Sequence, residues 1–431
     1  MTKNLPPHLN RGSWTGWTPA EGFPLPPAPG NADPRLSFVL NLGRALHTSG
    51  YSADRLEEAL SLASDRLGLE GQFFSTPTSI MASFGPQDDQ RTFMLRVSPG
   101  DSNLARLARV DQDTRDVLTG RLTPAEGTAA IGKIESAPPD YGPVITTLAF
   151  GVVSGSAARF LGGGLTEIIV GTLAGLGIGC LALLAERHPG LARVFEPLAA
   201  FTGSVLVTLA AAAGAPVAVL VATLAAVIIL IPGLTLTTAI TELSTRHLAS
   251  GTARLAGALV LLLGITFGIA LGAKIVTLIT GPVPRVDPVE LPGWTLFLSL
   301  VTVALGFVVL LKAEVRDVGY IIVAGGLAYV GARVGGNLLG PELGAFGGAL
   351  LTGVGSRFYS RYTNRPSQIT LVPGLLLLVP GSIGLRSFTE MLEGEAISGV
   401  EGVFRVALIA VSLASGILIA RLITPKRALL E

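Results

Sequence analysis

Apolar residues fall into two regimes along this chain. From about Val144 onward they come in long runs separated by short stretches rich in Gly, Pro and basic residues. Before that point they recur at helical or alternating spacing amid dense charge. A bilayer span needs about 20 apolar residues, fewer where a helix is short or broken. On that rule ten runs qualify, centred near Val152, Gly175, Val205, Val221, Leu263, Thr302, Gly325, Gly347, Leu375 and Val411. The pattern predicts an α-helical polytopic membrane protein with ten transmembrane helices behind a smaller soluble unit.

The soluble unit is predicted to be α+β and to occupy residues 36–140. Leu36, Val39, Leu40, Leu42, Gly43 and Leu46 lie on one helical face, and Gly50-Tyr51-Ser52 interrupts them. A second helix is expected over 52–67, with Ser52 as N-cap and Leu56, Ala59, Leu60 and Ala63 facing inward. Residues 72–84 and 91–97 read as the two strands of a hairpin, turned by Gly85-Pro86-Gln87-Asp88-Asp89. Helices over 104–119 and 124–135 complete the unit, and Pro138-Pro139 separates it from the first span. Residues 1–35 carry eight prolines and few aliphatics, a composition that cannot offset the entropy of ordering, so a mobile tail is expected there.

The polar stretches after the fourth and ninth runs echo each other at one constant offset. Pro232-Gly233, Thr241-Glu242, Ser250-Gly251 and Gly268-Ile269 reappear without a gap as Pro380-Gly381, Thr389-Glu390, Ser398-Gly399 and Gly416-Ile417. Five spans are thus followed by five more, a 5+5 repeat with modules at 141–285 and 286–431. An odd number of spans per module turns the second copy upside down, so the repeat is inverted. Basic residues beside the spans orient it: Arg246, Arg254, Arg316 and Arg361 fall inside and Arg159, Lys274 and Arg285 outside, twice as many inside in all. The first long apolar run comes too late for a signal peptide, and both termini are expected in the cytoplasm at a cell (inner) membrane.

Composition agrees with this reading and narrows it. Apolar residues make up 49% and charged residues 14%, with a mean hydropathy of +0.59, far from the soluble average of about 25% charged. A net charge of +1 with scattered basic residues gives no nucleic-acid surface. The single cysteine, Cys180, excludes an internal disulfide and a cysteine-based metal site. No cofactor or metal is expected, and no glycine-rich stretch carries the lysine and hydroxyl of a phosphate-binding loop. His47 with Ser49 and Ser52 lacks the third partner and the context of a hydrolase triad, so an enzyme is not expected.

Candidate chemistry lies in the repeated elements. Proline removes a helix hydrogen bond and glycine accepts any backbone angle, so Pro232-Gly233 and Pro380-Gly381 are places for a membrane helix to break. A break exposes a half-helix N-terminus and free carbonyls, a site for a carboxylate and an ammonium respectively. The competing reading is a helix that merely ends at the surface. Thr241-Glu242 and Thr389-Glu390 follow nine residues beyond each break, and an acid in hydrocarbon marks a proton or ion path. Glu167 and Asp317 open the second and seventh runs at nearly the same offset, either on that path or as plain macrodipole partners of their helices.

The run Gly50-Tyr51-Ser52 with Arg55, Glu57, Glu58, Ala59 and Leu60, then Thr76-Pro77-Thr78-Ser79-Ile80, Arg96-Val97 and Asn103-Leu104, ahead of ten spans in two halves, resembles the bacterial threonine/serine exporter family. The likeness covers nearly everything after residue 35. It implies a soluble domain followed by two five-helix modules, which some relatives encode as separate proteins, and a secondary exporter of small hydroxy amino acids driven by the proton gradient. Its partners would be the amino-acid substrate, protons and the lipid bilayer, with the number of subunits, a homo-oligomer included, left open. Some split relatives are associated with export of dicarboxylates such as succinate. The same set of helices would also suit a membrane channel or a regulator of unknown ligand.

Overall fold

The computed structural model describes residues 33–378 other than 99 and 101, together with 385, 387 and 396–424. The proline-rich segment before residue 33 lies outside them.

Chain order begins with α1 (Pro34–Thr48) and α2 (Ala53–Arg66). Asp33 caps α1 by accepting from the Arg35 N–H at 2.9 Å, with Pro34 pre-set for the first turn. Three strands follow, β1 (Gly71–Thr76), β2 (Ser79–Phe84) and β3 (Arg91–Arg96), in an antiparallel meander ordered β1-β2-β3. The stretch 72–84, expected as one strand, is therefore a hairpin of its own. It folds at Pro77, which has no N–H for a ladder, and the Thr76 hydroxyl accepts from the Ser79 N–H at 3.1 Å to close the turn. Phe84 packs edge-to-face against Phe73 and Phe93, with ring centres 5.6 and 6.1 Å apart. Helices α3 (Leu104–Leu118) and α4 (Pro124–Glu135) complete the unit, α4 opening on a reciprocal Thr123–Glu126 capping box. Phe38, Leu42, Leu46, Leu56, Leu60, Ile80, Leu107 and Ile131 form one core, of which the helical spacing in α1 and α2 predicted Leu42, Leu46, Leu56 and Leu60.

The remainder is helical: α5 (Pro143–Phe160), α6 (Leu165–Arg187), the single turn α7 (Pro189–Ala192), α8 (Phe195–Ala212), α9 (Val219–Val227), α10 (Gly233–Ser244) and α11 (Leu248–Thr280). An extended stretch leads to α12 (Trp294–Leu310), α13 (Val318–Leu339), α14 (Pro341–Thr363), α15 (Gln368–Leu376) and α16 (Ala396–Ile423). Each of the ten predicted centres falls inside a helix. By length and composition, however, six of the described helices suffice to cross a membrane, or seven if the bent pair α9 and α10 counts as one span. Helix α12 is short at 17 residues. Leu148, Ile169, Leu173, Phe267, Leu278, Phe297, Phe404 and Leu408 point outward, as side chains facing lipid would.

One set of helix contacts occurs twice. In the first half α6 packs on α5, α8 and α9, and α8 on α9 and α11. In the second, α13 packs on α12, α14 and α15, and α14 on α15 and α16. Across the middle, α5 lies against α12, and the Ser156 and Thr302 hydroxyls meet at 2.8 Å. Glycines set the closest approach: a Cβ on Gly331 of α13 would stand 2.6 Å from the Gly347 carbonyl oxygen and 2.8 Å from the Gly348 Cα of α14. Both contacts are backbone, which cannot swing aside.

Gly331→Val is therefore expected to force α13 and α14 apart and lower the thermal midpoint in detergent by several degrees. Gly326→Ala, where a Cβ meets nothing within 4 Å, should leave it unchanged.

Candidate functional site

The first predicted break is present. Helix α9 tightens into a 3-10 turn at Ile228–Leu230, Ile231 is extended, and α10 restarts at Gly233 with Pro232 as its cap, bent 56° from the preceding segment. The bend carries α10 across to the second half, where it packs against α15 and α16. Thr237 and Thr241, one turn apart, donate their hydroxyls to the carbonyls of Gly233 and Thr237 at 3.1 and 2.8 Å, which leaves both oxygens as acceptors.

Along this seam lies a cavity of about 80 Å³, several times what one water needs. Its walls come from three places. Leu234, Thr237, Thr238 and Thr241 belong to α10; Gln368, Leu371, Val372, Leu375, Ile417 and Arg421 to α15 and α16. The soluble unit closes the third side with Gly50, Tyr51, Ser52, Arg55 and Ser102.

Beside the cavity stands Glu242, at 0% exposure. Its carboxylate does not face open hydrocarbon. Arg254 Nε donates to both its oxygens at 3.0 and 3.1 Å, and the Ala53 N–H at the start of α2 donates to Oε1 at 2.8 Å. The same guanidinium reaches the Tyr51 carbonyl through Nη2 at 3.4 Å. Next to it His247 Nε2 lies 3.4 Å from Glu57 Oε2, while Glu57 Oε1 accepts from the Ser75 N–H and hydroxyl. Glu242 is thus the anchor that ties the soluble unit to the first half. Asp54, one residue beyond Ala53, ties it to the second: Arg421 Nη1 donates to its Oδ2 at 2.7 Å. A third footing joins the N-terminal amides of α3 to the end of α12, with Leu104 and Ala105 donating to the Leu311 and Lys312 carbonyls at 3.0 Å.

The other candidate acids brace helix starts. Glu167 accepts from the N–H of Gly164, which caps α6, and of Ala218, which caps α9, each at 2.7 Å. Asp317 holds the corresponding place in the second half, accepting from Tyr359 at 2.8 Å and from Arg365 Nη1 at 2.6 and 2.7 Å. Glu167 thus meets helix-start amides, whereas Asp317 caps no amide and is paired with Tyr359 and Arg365; neither lines the cavity at the seam. Pro380, Gly381, Thr389 and Glu390 lie outside the described residues. Among the described residues no group of three His, Cys, Asp or Glu could hold a metal ion.

Charges in the soluble unit respond to this junction. Burial opposes ionisation of Asp54, but the Arg421 guanidinium, the Ser52 hydroxyl and the charge of Arg55 together outweigh it and hold the carboxyl below its usual range. Burial, then the nearby Arg421, pulls Arg55 down to about 10. Burial also lowers His47, whose Nε2 lies 3.0 Å from the Pro77 carbonyl, and Arg254 adds to the effect. Sequence patterning does not single out Arg55, Asp54, Gln368 or Arg421 as site residues. Arg55 belongs to the motif run after Gly50-Tyr51-Ser52, and Arg421 reads only as a flanking charge.

A family model described as a threonine/serine exporter matches residues 37–276, and a second, "Threonine/Serine exporter, ThrE", matches residues 296–423. The chain belongs to the threonine/serine exporter family. The first match takes in the soluble unit, Glu242 and most of α11; the second runs from α12 to the end of α16. Similar proteins include "Pheromone-regulated membrane protein 10" of Candida albicans (strain SC5314), 25% identical over an alignment of 377 positions that covers 82% of this chain and 33% of that protein. The proteins of that name from Eremothecium gossypii and Saccharomyces cerevisiae (strain YJM789) are 25% and 24% identical. Those alignments cover 82% and 84% of this chain but 49% and 48% of the relatives. The chain thus spans a third to a half of the length of these relatives. No solved structure matches it.

Removing one partner from a buried ion pair costs about 3–5 kcal/mol, because the other charge is left uncompensated. Glu242→Gln is accordingly expected to speed hydrogen exchange of the backbone amides at 51–57 by at least about tenfold, while amides around Leu42 and Ile131 keep their protection. Unchanged exchange at 51–57 would mean that this pair does not hold the junction. Stability should also depend on pH through His47. Its folded value lies below the usual 6.5, so the unfolded chain takes up a proton that the folded one resists. The thermal midpoint is expected to fall as pH drops through about 6.5, and His47→Gln should flatten that slope.

Proposed function

We propose that this protein is a secondary active exporter of small hydroxy amino acids, threonine and serine, driven by the proton gradient. The observation that carries the reading is the cavity at the seam. It is walled by the first half, the second half and the soluble unit at once, so relative motion of the halves would open it to one side or the other. Three further features support it: the broken helix at Pro232-Gly233, the hydroxyl face of α10, and membership in the exporter family. In this reading the chain comprises a cytoplasmic domain at 36–140 and two oppositely oriented five-helix modules at 141–285 and 286–431, with both termini inside a cell (inner) membrane. The doubled set of helix contacts supports that division.

The solute enters from the cytoplasm, with Thr237 and Thr241 accepting from its ammonium and hydroxyl groups. Protons act through the carboxylates of the Thr-Glu elements, Glu242 and its counterpart Glu390. Protonating Glu242 cancels its attraction for Arg254, which loosens the junction with the soluble unit. Glu167 and Asp317 keep the helix starts in place during the cycle.

Proteoliposomes loaded with labelled threonine test this reading. An inward-directed proton gradient is expected to accelerate efflux several-fold with saturable kinetics, and Glu242→Gln to remove most of that acceleration. Efflux that ignores the gradient defeats proton coupling, and flux that never saturates favours a channel.

A further inference from the structure

Two side chains on the cavity wall carry buried polar atoms without partners among the described residues. Gln368, at 8% exposure, has neither its Nε2 nor its Oε1 hydrogen-bonded among the described residues, and the buried Nη1 of Arg55 has no partner there either. Both residues line the same space. Buried polar atoms are almost always satisfied, and each one left without a partner costs about 1–3 kcal/mol, more when charged. A pair of them facing one cavity points to a ligand that completes them.

The charge balance names its class. Glu242 is matched by Arg254, and Asp54 is engaged by Arg421, so Arg55 makes no ion pair among the described residues and shares the single charge of Asp54 with Arg421. Arg357 adds a further positive field, against which Asp54 and Tyr51 exert the attractive influences on Arg55. Such a site lacks one negative charge. Guanidinium and amide N–H groups together offer the planar donor set that a carboxylate accepts. The Gln368 oxygen, with the hydroxyl oxygens of Thr237 and Thr241, then offers acceptors one short side chain away, matching an ammonium or hydroxyl on the same molecule.

We infer that Arg55 of the soluble unit and Gln368 of α15 form a carboxylate-binding site in which the exported solute is held before it enters the membrane. The inference rests on the export reading and deepens it: the soluble unit supplies the anchoring charge instead of acting only as a regulator. The solute bridges the soluble unit and the second half, and its departure leaves Arg55 and Gln368 without that partner.

Counterflow of labelled threonine by the full chain in proteoliposomes, with competitors added in series, tests it. Threonine and serine are the first pair of competitors; threoninol lacks the carboxylate, and succinate carries two. Wild-type protein should take threoninol at least about tenfold more weakly than threonine. Arg55→Met and Gln368→Glu should each weaken threonine about tenfold or more and bring it level with threoninol, while Arg55→Lys recovers part of the preference. Thermal midpoints of the variants establish that they fold, and the threonine-to-threoninol ratio separates recognition from a merely structural effect. If Arg55→Met misfolds, Gln368→Glu alone decides by the same ratio. A wild-type ratio preserved in the folded variants overturns the inference and leaves the export reading intact, as does wild-type protein that treats threonine and threoninol alike. Wild-type protein that moves none of these solutes overturns both. Succinate binding more tightly than threonine would keep the carboxylate site and move the substrate class to dicarboxylates.

Discussion

A carboxylate shut away from water must be neutralised by whatever encloses it, and Glu242 is neutralised from two sides. Arg254 supplies the charge from within the first half, and the Ala53 amide supplies a hydrogen bond from the soluble unit. Neither would suffice alone: ionised groups cost several kcal/mol to desolvate, and an arginine without remaining partners repays that poorly. Electrostatics at this buried point therefore fixes where α2 meets the first half, one of the three footings of the soluble unit. With α2 pinned there, Tyr51, Ser52 and Arg55 become a wall of the cavity.

The same logic divides the polar groups into two kinds. Glu167 gathers the amides that open two helices, and Asp317, at the start of α13, is saturated by Tyr359 and Arg365, so both are satisfied without any ligand. Gln368 and Arg55 differ because both amide atoms of the first and Nη1 of the second have nothing among the described residues to meet. Saturated polar groups report architecture, and unsaturated ones in a shared cavity report recognition.

Much of the fold is legible in the sequence, because the two cues that carry it are local. Helical spacing of Leu36 to Leu46 and of Leu56 to Ala63 locates α1 and α2, and apolar runs place a helix at every predicted centre. Apolarity is a poorer guide to length. Helix α14 is rich in glycine because it packs tightly on α13, so its composition falls short of an ordinary span. The second strand escapes a reading of residue types because Pro77, in a run of strand-forming residues, marks a turn within it. At the site, the break at Pro232-Gly233 is visible because proline acts on its own backbone. The partner of Glu242 is not, since Ala53 contributes only a main-chain N–H that any residue there except proline would carry, and nothing in the spacing links residue 53 to residue 242.

Ala53 and Asp54 are neighbours in the chain, yet the first grips α10 and the second grips α16, on opposite halves of the helical body. Consecutive Cα atoms are about 3.8 Å apart and an aspartate side chain is short, so the main chain adds almost no slack to this bridge. Sliding the halves past each other by more than the Glu242 and Arg421 side chains can follow must tear one grip or the other. The first turn of α2 therefore behaves as a mechanical fuse: the halves stay locked until one bond lets go, and which bond yields first decides the half with which the soluble unit travels.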